Sequence, residues 1–216
     1  TDIDCGRDQR ILWFAQNSFR LFEALVAAAR VGAILVPVNW RITAAELEFM
    51  VKDLDPRLVI WQEQEIGSVA EVRDRKLTSA RWLQHDAEGG ETYEGLLRNY
   101  PEMFAGTQVE ASLPMLGIYT AAFDGQPNAA LISQQAMMIQ NVIIAGVQHI
   151  DHTTAYLAAG PLFHIATFMA ASATLHMGGT NVVVARVDAE ILLELIQRER
   201  CTHGFIPGPT IEQMRA

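Results

Sequence analysis

The sequence predicts an α/β fold of layered, mostly parallel sheets with helices on their faces. Three observations carry that expectation. Short apolar runs of strand length alternate with amphipathic stretches of helical length, the runs are apolar almost without interruption, and capping or breaking residues separate them. A run with no polar alternation belongs to a strand covered on both faces, which is the setting of a parallel sheet.

The elements follow in order. "RILWFA" (10–15) predicts a strand, and Asn17-Ser18 predicts a cap for a helix with an apolar face of Phe19, Phe22, Leu25, Val26 and Ala29. Gly32 ends that helix. "AILVPVN" (33–39) is a second strand, Thr43 with Glu46 makes a capping box for a helix over 44–54, and "RLVIW" (57–61) is a third strand. Residues 63–113 are charged and weakly periodic, so they are expected to form a peripheral connecting segment with one or two helices and short strands. "MLGIYT" (115–120) and "NAALIS" (128–133) predict a strand pair around a loop, and Ser133 a helix to about Val147. Then come strand "TAYLAAG" (154–160), helix "ATFMAASATLHM" (166–177), strand "TNVVVA" (180–185), a helix opened by Asp188, and strand "THGFI" (202–206). The expected organisation is a first βαβαβ segment over 1–62, the connecting segment over 63–113, and a second α/β segment over 114–216.

Composition narrows the function. The chain has 216 residues, half of them hydrophobic, and a formal charge of −9. That is enough to bury a core, and the charge argues against non-specific binding to nucleic acid or an anionic membrane. Cys5 and Cys201 stand far apart and form no CxxC, so a reducing, cytoplasmic setting is expected rather than a disulfide framework or zinc site. "TDIDCGRDQR" is polar where a signal peptide would be apolar. No charged residue occurs between Asp151 and Arg186, but Gly160, Pro161, Gly178 and Gly179 divide that stretch into pieces shorter than the roughly 20 residues of a bilayer span. It is therefore expected to be buried strand and helix, with no transmembrane segment.

Three stretches, in order, resemble the N-terminal domain of the adenylate-forming enzymes, a superfamily that includes the acyl-CoA synthetases. They are "ALVAAARVGAILVPVNWRITAAELEFMVKDLDPRLVIW" (24–61), "IYTAAFDGQPNAALIS" (118–133) and "GPLFHIATFM" (160–169). The second is similar to the family's phosphate loop, Y-T-S-G-T-T-G-x-P-K-G-A, and the third to the P-x-F-H motif of fatty acyl-CoA ligases. The resemblance implies a ligase that joins a fatty acid to CoA through an acyl-adenylate, with ATP and magnesium. Members of the family are longer. Their adenine-binding segment, magnesium-holding acid, ribose-binding aspartate and C-terminal domain with its lysine have no counterpart here, so a fragment of a larger parent is expected, inactive alone and completed by the parent's remaining domains.

The phosphate-loop remnant comprises Thr120, Ala121, Ala122, Phe123, Asp124, Gly125, Gln126, Pro127 and Asn128. Tyr119, Thr120, Gly125 and Pro127 match the motif, whereas Ala121, Ala122, Phe123, Asp124, Asn128 and Ala129 replace its serine, first glycine, two threonines, lysine and last glycine. A polyphosphate needs converging N–H groups, hydroxyls and a cation. Each lost bond to a charged phosphate is worth roughly 1.5 to 3 kcal/mol, so triphosphate binding is expected to weaken by orders of magnitude. Asp124 adds repulsion, unless magnesium bridges it to a phosphate. The resemblance makes Phe163 and His164 the gate between the acyl pocket and the pantetheine tunnel; without it, His164 reads as a core histidine satisfied by a backbone carbonyl. Thr167 stands where the family commonly has glycine.

Other candidates are weaker. His149 and His152 read as a solvated helix end rather than a metal site. Met137, Met138, Phe168 and Met169 read as core or pocket wall. No G-x-S-x-G elbow and no acid/base pair of carboxylates is evident, and no catalytic residue is assigned. Two functions remain open: an AMP-forming fatty acyl-CoA ligase, and an inactive relative that binds an acyl group or acyl-CoA without using ATP.

Overall fold

The structure, a computed structural model, describes residues 5–63, 68–100, 108–120 and 127–215. The chain divides into two compact units, one of Thr1–Ala15 with Arg20–Gln134, the other of Gln16–Phe19 with Gln135–Ala216.

The first unit is built on a six-stranded sheet. Its strands are β1 (Arg10–Phe14), β2 (Ile34–Pro37), β3 (Leu58–Trp61), β4 (Arg81–Gln84), β5 (Pro114–Tyr119) and β6 (Ala129–Ser133). Their order is β4-β3-β1-β2-β5-β6, parallel throughout except for the β5–β6 pair. The unbroken apolar runs are explained by burial: every residue of β2 and β3, and all of β1 after Arg10, is buried. From β1 the chain steps to one side through α1 (Phe19–Val31), then back past β1 through α2 (Ala44–Leu54). With right-handed crossovers, that reversal puts α1 and α2 on opposite faces.

Helix α2 starts as the sequence predicts. The Thr43 hydroxyl accepts from the Glu46 amide at 3.3 Å, while Glu46 Oε2 accepts from the Thr43 amide at 2.8 Å. Helix α1 differs from its expected face. Leu21, Phe22, Ala24, Leu25 and Ala28 are buried, while Phe19 and Val26 are 55% and 45% exposed. The segment is apolar on most of its circumference, so spacing alone does not select a face, and the small Ala24 and Ala28 let the helix approach the sheet on their side.

The segment after β3 forms α3 (Ser68–Asp74), β4 and α4 (Tyr93–Asn99). Its weak periodicity has a physical cause: β4 is an edge strand in which only Leu83 is buried.

The second unit holds α5 (Gln134–Gln148), α6 (Ile165–His176), α7 (Ala189–Arg198) and α8 (Gly208–Met214). They accompany a parallel sheet of β7 (Ala155–Ala158), β8 (Thr180–Val183) and the two-residue β9 (His203–Gly204), in the order β8-β7-β9. The charge-free stretch is buried only in part: Tyr156, Leu157 and Ala158 of β7 and most of α6 are buried, whereas no residue of β8 is. Among the described residues no helix is long and apolar enough to cross a membrane. Met137 and Phe168 are buried as expected, but Met138 is 54% exposed, on a face of α5 that also shows Ile139, Val142, Ile143 and Val147.

Four helices end alike. The amides of Ala33, Ile150, Gly179 and Cys201 each reach back five residues, to the carbonyls of Ala28, Ala145, Thr174 and Ile196, over a left-handed residue: Gly32, His149, Gly178 and Arg200.

Candidate functional site

Two loops carry the residues singled out by the sequence, one in each unit. In the first unit, 120–128 joins β5 to β6 as an antiparallel hairpin, as expected of "MLGIYT" and "NAALIS". Its mouth is closed by Thr120, whose amide and hydroxyl both donate to the Asn128 carbonyl, at 2.9 and 3.1 Å. Ala121, Ala122, Phe123, Asp124, Gly125 and Gln126 lie outside the described residues. Thr120 and Asn128 are exposed, and Pro127 is half-buried. The strand before the loop is tied to α2, because the Tyr119 hydroxyl donates to Asp53 Oδ2 at 2.6 Å. Burial, and then that bond to a carboxylate, push the Tyr119 phenol above its ordinary pKa.

In the second unit the loop leaving β7 runs from Ala159 into α6. In the order β8-β7-β9 the chain moves from β7 to one neighbour and then crosses to the other. The direction therefore reverses beside β7, and the carboxyl ends of the strands at such a point open into the crevice where α/β sheets bind ligands. Gly160 follows β7 there and Phe205 follows β9. A Cβ on Gly160 would collide with Thr167 Oγ1 and with the Phe205 ring, so any other residue there requires both side chains to shift. Thr167 itself is 1% exposed, with no hydrogen-bond partner for its hydroxyl among the described residues.

His164 is the N-cap of α6. Its backbone is extended, with φ −109 and ψ 130, and its Nδ1 accepts from the Ala166 amide at 3.2 Å. The ring proton of the neutral form then sits on Nε2. The core-histidine reading is corrected by this geometry: His164 is exposed, and the bond it makes is one it accepts from an amide rather than gives to a carbonyl. Phe163, beside it, is half-buried.

One residue of this loop's surroundings escaped sequence reasoning. Asn17, expected as a helix cap, sends its side-chain amide to the Gly160 carbonyl at 2.8 Å and the Val184 carbonyl at 3.1 Å, and accepts from the Leu162 amide at 2.9 Å. The partners lie more than 140 residues away in sequence. Local pattern contains no signal for such bonds.

The remaining candidates do not gather into a site. His149 and His152 are exposed, and among the described residues no group of three or more His, Cys, Asp or Glu could hold a metal ion. Among the described residues the first unit also has clefts, one apolar and another polar. The apolar one of about 370 Å³ is bounded by Ile11, Ala24, Ile60, Leu83, Tyr93 and Leu97. The polar one of about 450 Å³ is lined by Arg20, His85, Glu88, Glu94 and Arg98, with Arg20 Nε bonded to Glu94 at 2.6 Å.

The sequence pattern of the AMP-binding enzymes matches this chain over residues 1–216. The chain belongs to that family. Among curated relatives, indoleacetate–CoA ligase of Aromatoleum aromaticum is 28% identical over 210 residues, covering 95% of this chain and 41% of the relative. The long-chain-fatty-acid–CoA ligase FadD13 of Mycobacterium tuberculosis is 22% identical over 212 residues, which is 96% of this chain and 41% of that protein. In fold, the N-terminal domain of FACL13 from Mycobacterium tuberculosis superposes with a TM-score of 0.86 at 20% identity, covering 99% of this chain and 53% of that one. A long-chain-fatty-acid–CoA ligase from Archaeoglobus fulgidus gives 0.87 at 19% identity, over 97% of this chain and 42% of that one. The fold is thus that of the N-terminal domain of the AMP-binding acyl-CoA ligases, and the chain spans about 40% of the length of the curated relatives.

Proposed function

We propose that this chain is the N-terminal part of an AMP-forming ligase that joins a fatty acid to CoA. The observation that carries this reading is the family match across residues 1–216, in a chain whose P-x-F-H loop leaves the carboxyl end of β7. In this chemistry the carboxylate oxygen attacks the α-phosphorus of ATP and pyrophosphate leaves. The CoA thiolate then attacks the acyl carbon, AMP leaves, and a thioester remains. This chain would contribute the hairpin loop 120–128 toward the polyphosphate, and Phe163 with His164 at the gate where acyl group and pantetheine meet. Magnesium, when bound, would screen the polyphosphate charge; among the described residues no three His, Cys, Asp or Glu gather to hold a metal ion, so the phosphates and waters would supply most of its ligands. A reducing, cytoplasmic setting agrees with the thiol of Cys201, which forms no disulfide.

The test is AMP release by the full-length protein. The reading expects release that requires fatty acid, ATP and CoA together, and release indifferent to the fatty acid contradicts it.

One observation favours a second reading, binding of an acyl group or acyl-CoA without use of ATP. At the hairpin mouth Asn128 replaces the motif's lysine, and Thr120 spends both of its donors on the Asn128 carbonyl. Calorimetry separates the two readings. Acyl-CoA binding with no detectable ATP binding supports the second, whereas an ATP affinity of about 10 μM, an association of roughly 7 kcal/mol, contradicts it.

A further inference from the structure

We propose that Asn17 is a positioning residue for the loop Gly160–His164, setting through its side-chain amide the geometry in which His164 is presented. The functional consequence rests on the ligase reading, in which His164 gates the acyl group; the anchoring itself rests on geometry alone.

A side-chain amide has two N–H donors and a carbonyl acceptor in one plane. Asn17 uses both kinds. Its Nδ2 reaches the carbonyls of Gly160 and Val184 at 2.8 and 3.1 Å, with the Ala158 carbonyl farther off at 3.5 Å, and its Oδ1 takes the Leu162 amide at 2.9 Å. Ala158 closes β7 and Val184 follows β8, so Asn17 binds backbone groups at the two strand ends where the sheet ladder runs out. Its bonds to Gly160 and Leu162 bracket Pro161, which has no N–H of its own to give.

From there the chain of bonds is continuous. The His164 amide donates to the Pro161 carbonyl at 3.0 Å, Nδ1 of His164 takes the Ala166 amide, and the Phe168 amide donates to the His164 carbonyl at 3.1 Å. Loosening Gly160–Leu162 frees the turn that holds the ring at the head of α6. Neighbouring side-chain types do not substitute. Aspartate turns an oxygen toward two carbonyl oxygens, serine offers one donor, and alanine none.

The test uses this chain, with the variants N17A and N17D, and T43A as a control that weakens the cap of α2 instead. Nitrogen-15 spectra report the His164 ring, and amide exchange reports Leu162. In both Asn17 variants the Nδ1 signal is expected to leave the position of a hydrogen-bonded acceptor, and the Leu162 amide to exchange at least about tenfold faster. T43A is expected to change neither. A folded N17A with His164 and Leu162 unchanged overturns the proposal, as does an equal response in T43A. If neither Asn17 variant folds, the unaltered chain decides. Protection of the Leu162 amide and of the Asn17 side-chain amide supports the anchor, and exchange of both at solvent rates refutes it. None of these readouts involves ATP, fatty acid or CoA, so failure of the ligase reading is seen separately.

Discussion

At the scale of single residues, His85 shows how burial sets the response to pH. Its ring stacks on Trp13 with centroids 5.0 Å apart and 18° between the planes, and neither nitrogen has a hydrogen-bond partner among the described residues. Burial is the largest influence on it and holds its pKa below the ordinary 6.5, against the pull of Asp86 and with the help of Arg20. A base with a depressed folded pKa binds protons more readily when unfolded. Stability is therefore full above the ordinary value and falls as pH drops through it. The urea midpoint is expected to fall below pH 6.5, and H85F to flatten that dependence. Tyr119 works in the opposite direction. Its raised phenol pKa stabilises the fold below about pH 10 and loses that contribution as pH rises past it. Y119F, which removes the bond to Asp53, is expected to cost about 1 kcal/mol at neutral pH and to reduce the alkaline loss of stability. At the loop mouth, N128K is expected to tighten ATP binding about tenfold or more, by restoring one charged bond to a phosphate. An unchanged affinity in calorimetry would mean that Asn128 does not face the polyphosphate.

At the scale of elements, helix ends depend on local chemistry, and there the sequence is most informative. Thr43 with Glu46, Asp188 and Gly32 each act within a few residues of the backbone they serve, and all three act as expected. His149 and Arg200 were not legible as left-handed residues, because the fold imposes that conformation on side chains that do not prefer it. H149G and R200G are each expected to raise stability by about 1 kcal/mol, and G32A and G178A to lower it by a similar amount or more, read from urea midpoints. The face of α1 was not legible either. Apolar residues surround that helix on most sides, and the sheet beneath it makes the choice. In β4 the reverse holds, since an edge strand with one buried residue leaves almost no periodic trace.

At the scale of the whole molecule, the fold class could be read from alternating apolar runs and caps, because a buried parallel sheet must be written that way. The two loops could be read only through ordered motifs, whose meaning lies in chemistry rather than in periodicity. Asn17 could not be read at all, since its partners are set by a chain crossing that no local pattern encodes. Whether this scaffold serves carboxylate activation, as proposed, is read from ATP–pyrophosphate exchange by the full-length protein. Exchange is expected to rise above background only when a fatty acid is supplied. A folded protein showing no such exchange at saturating ATP and fatty acid would contradict it.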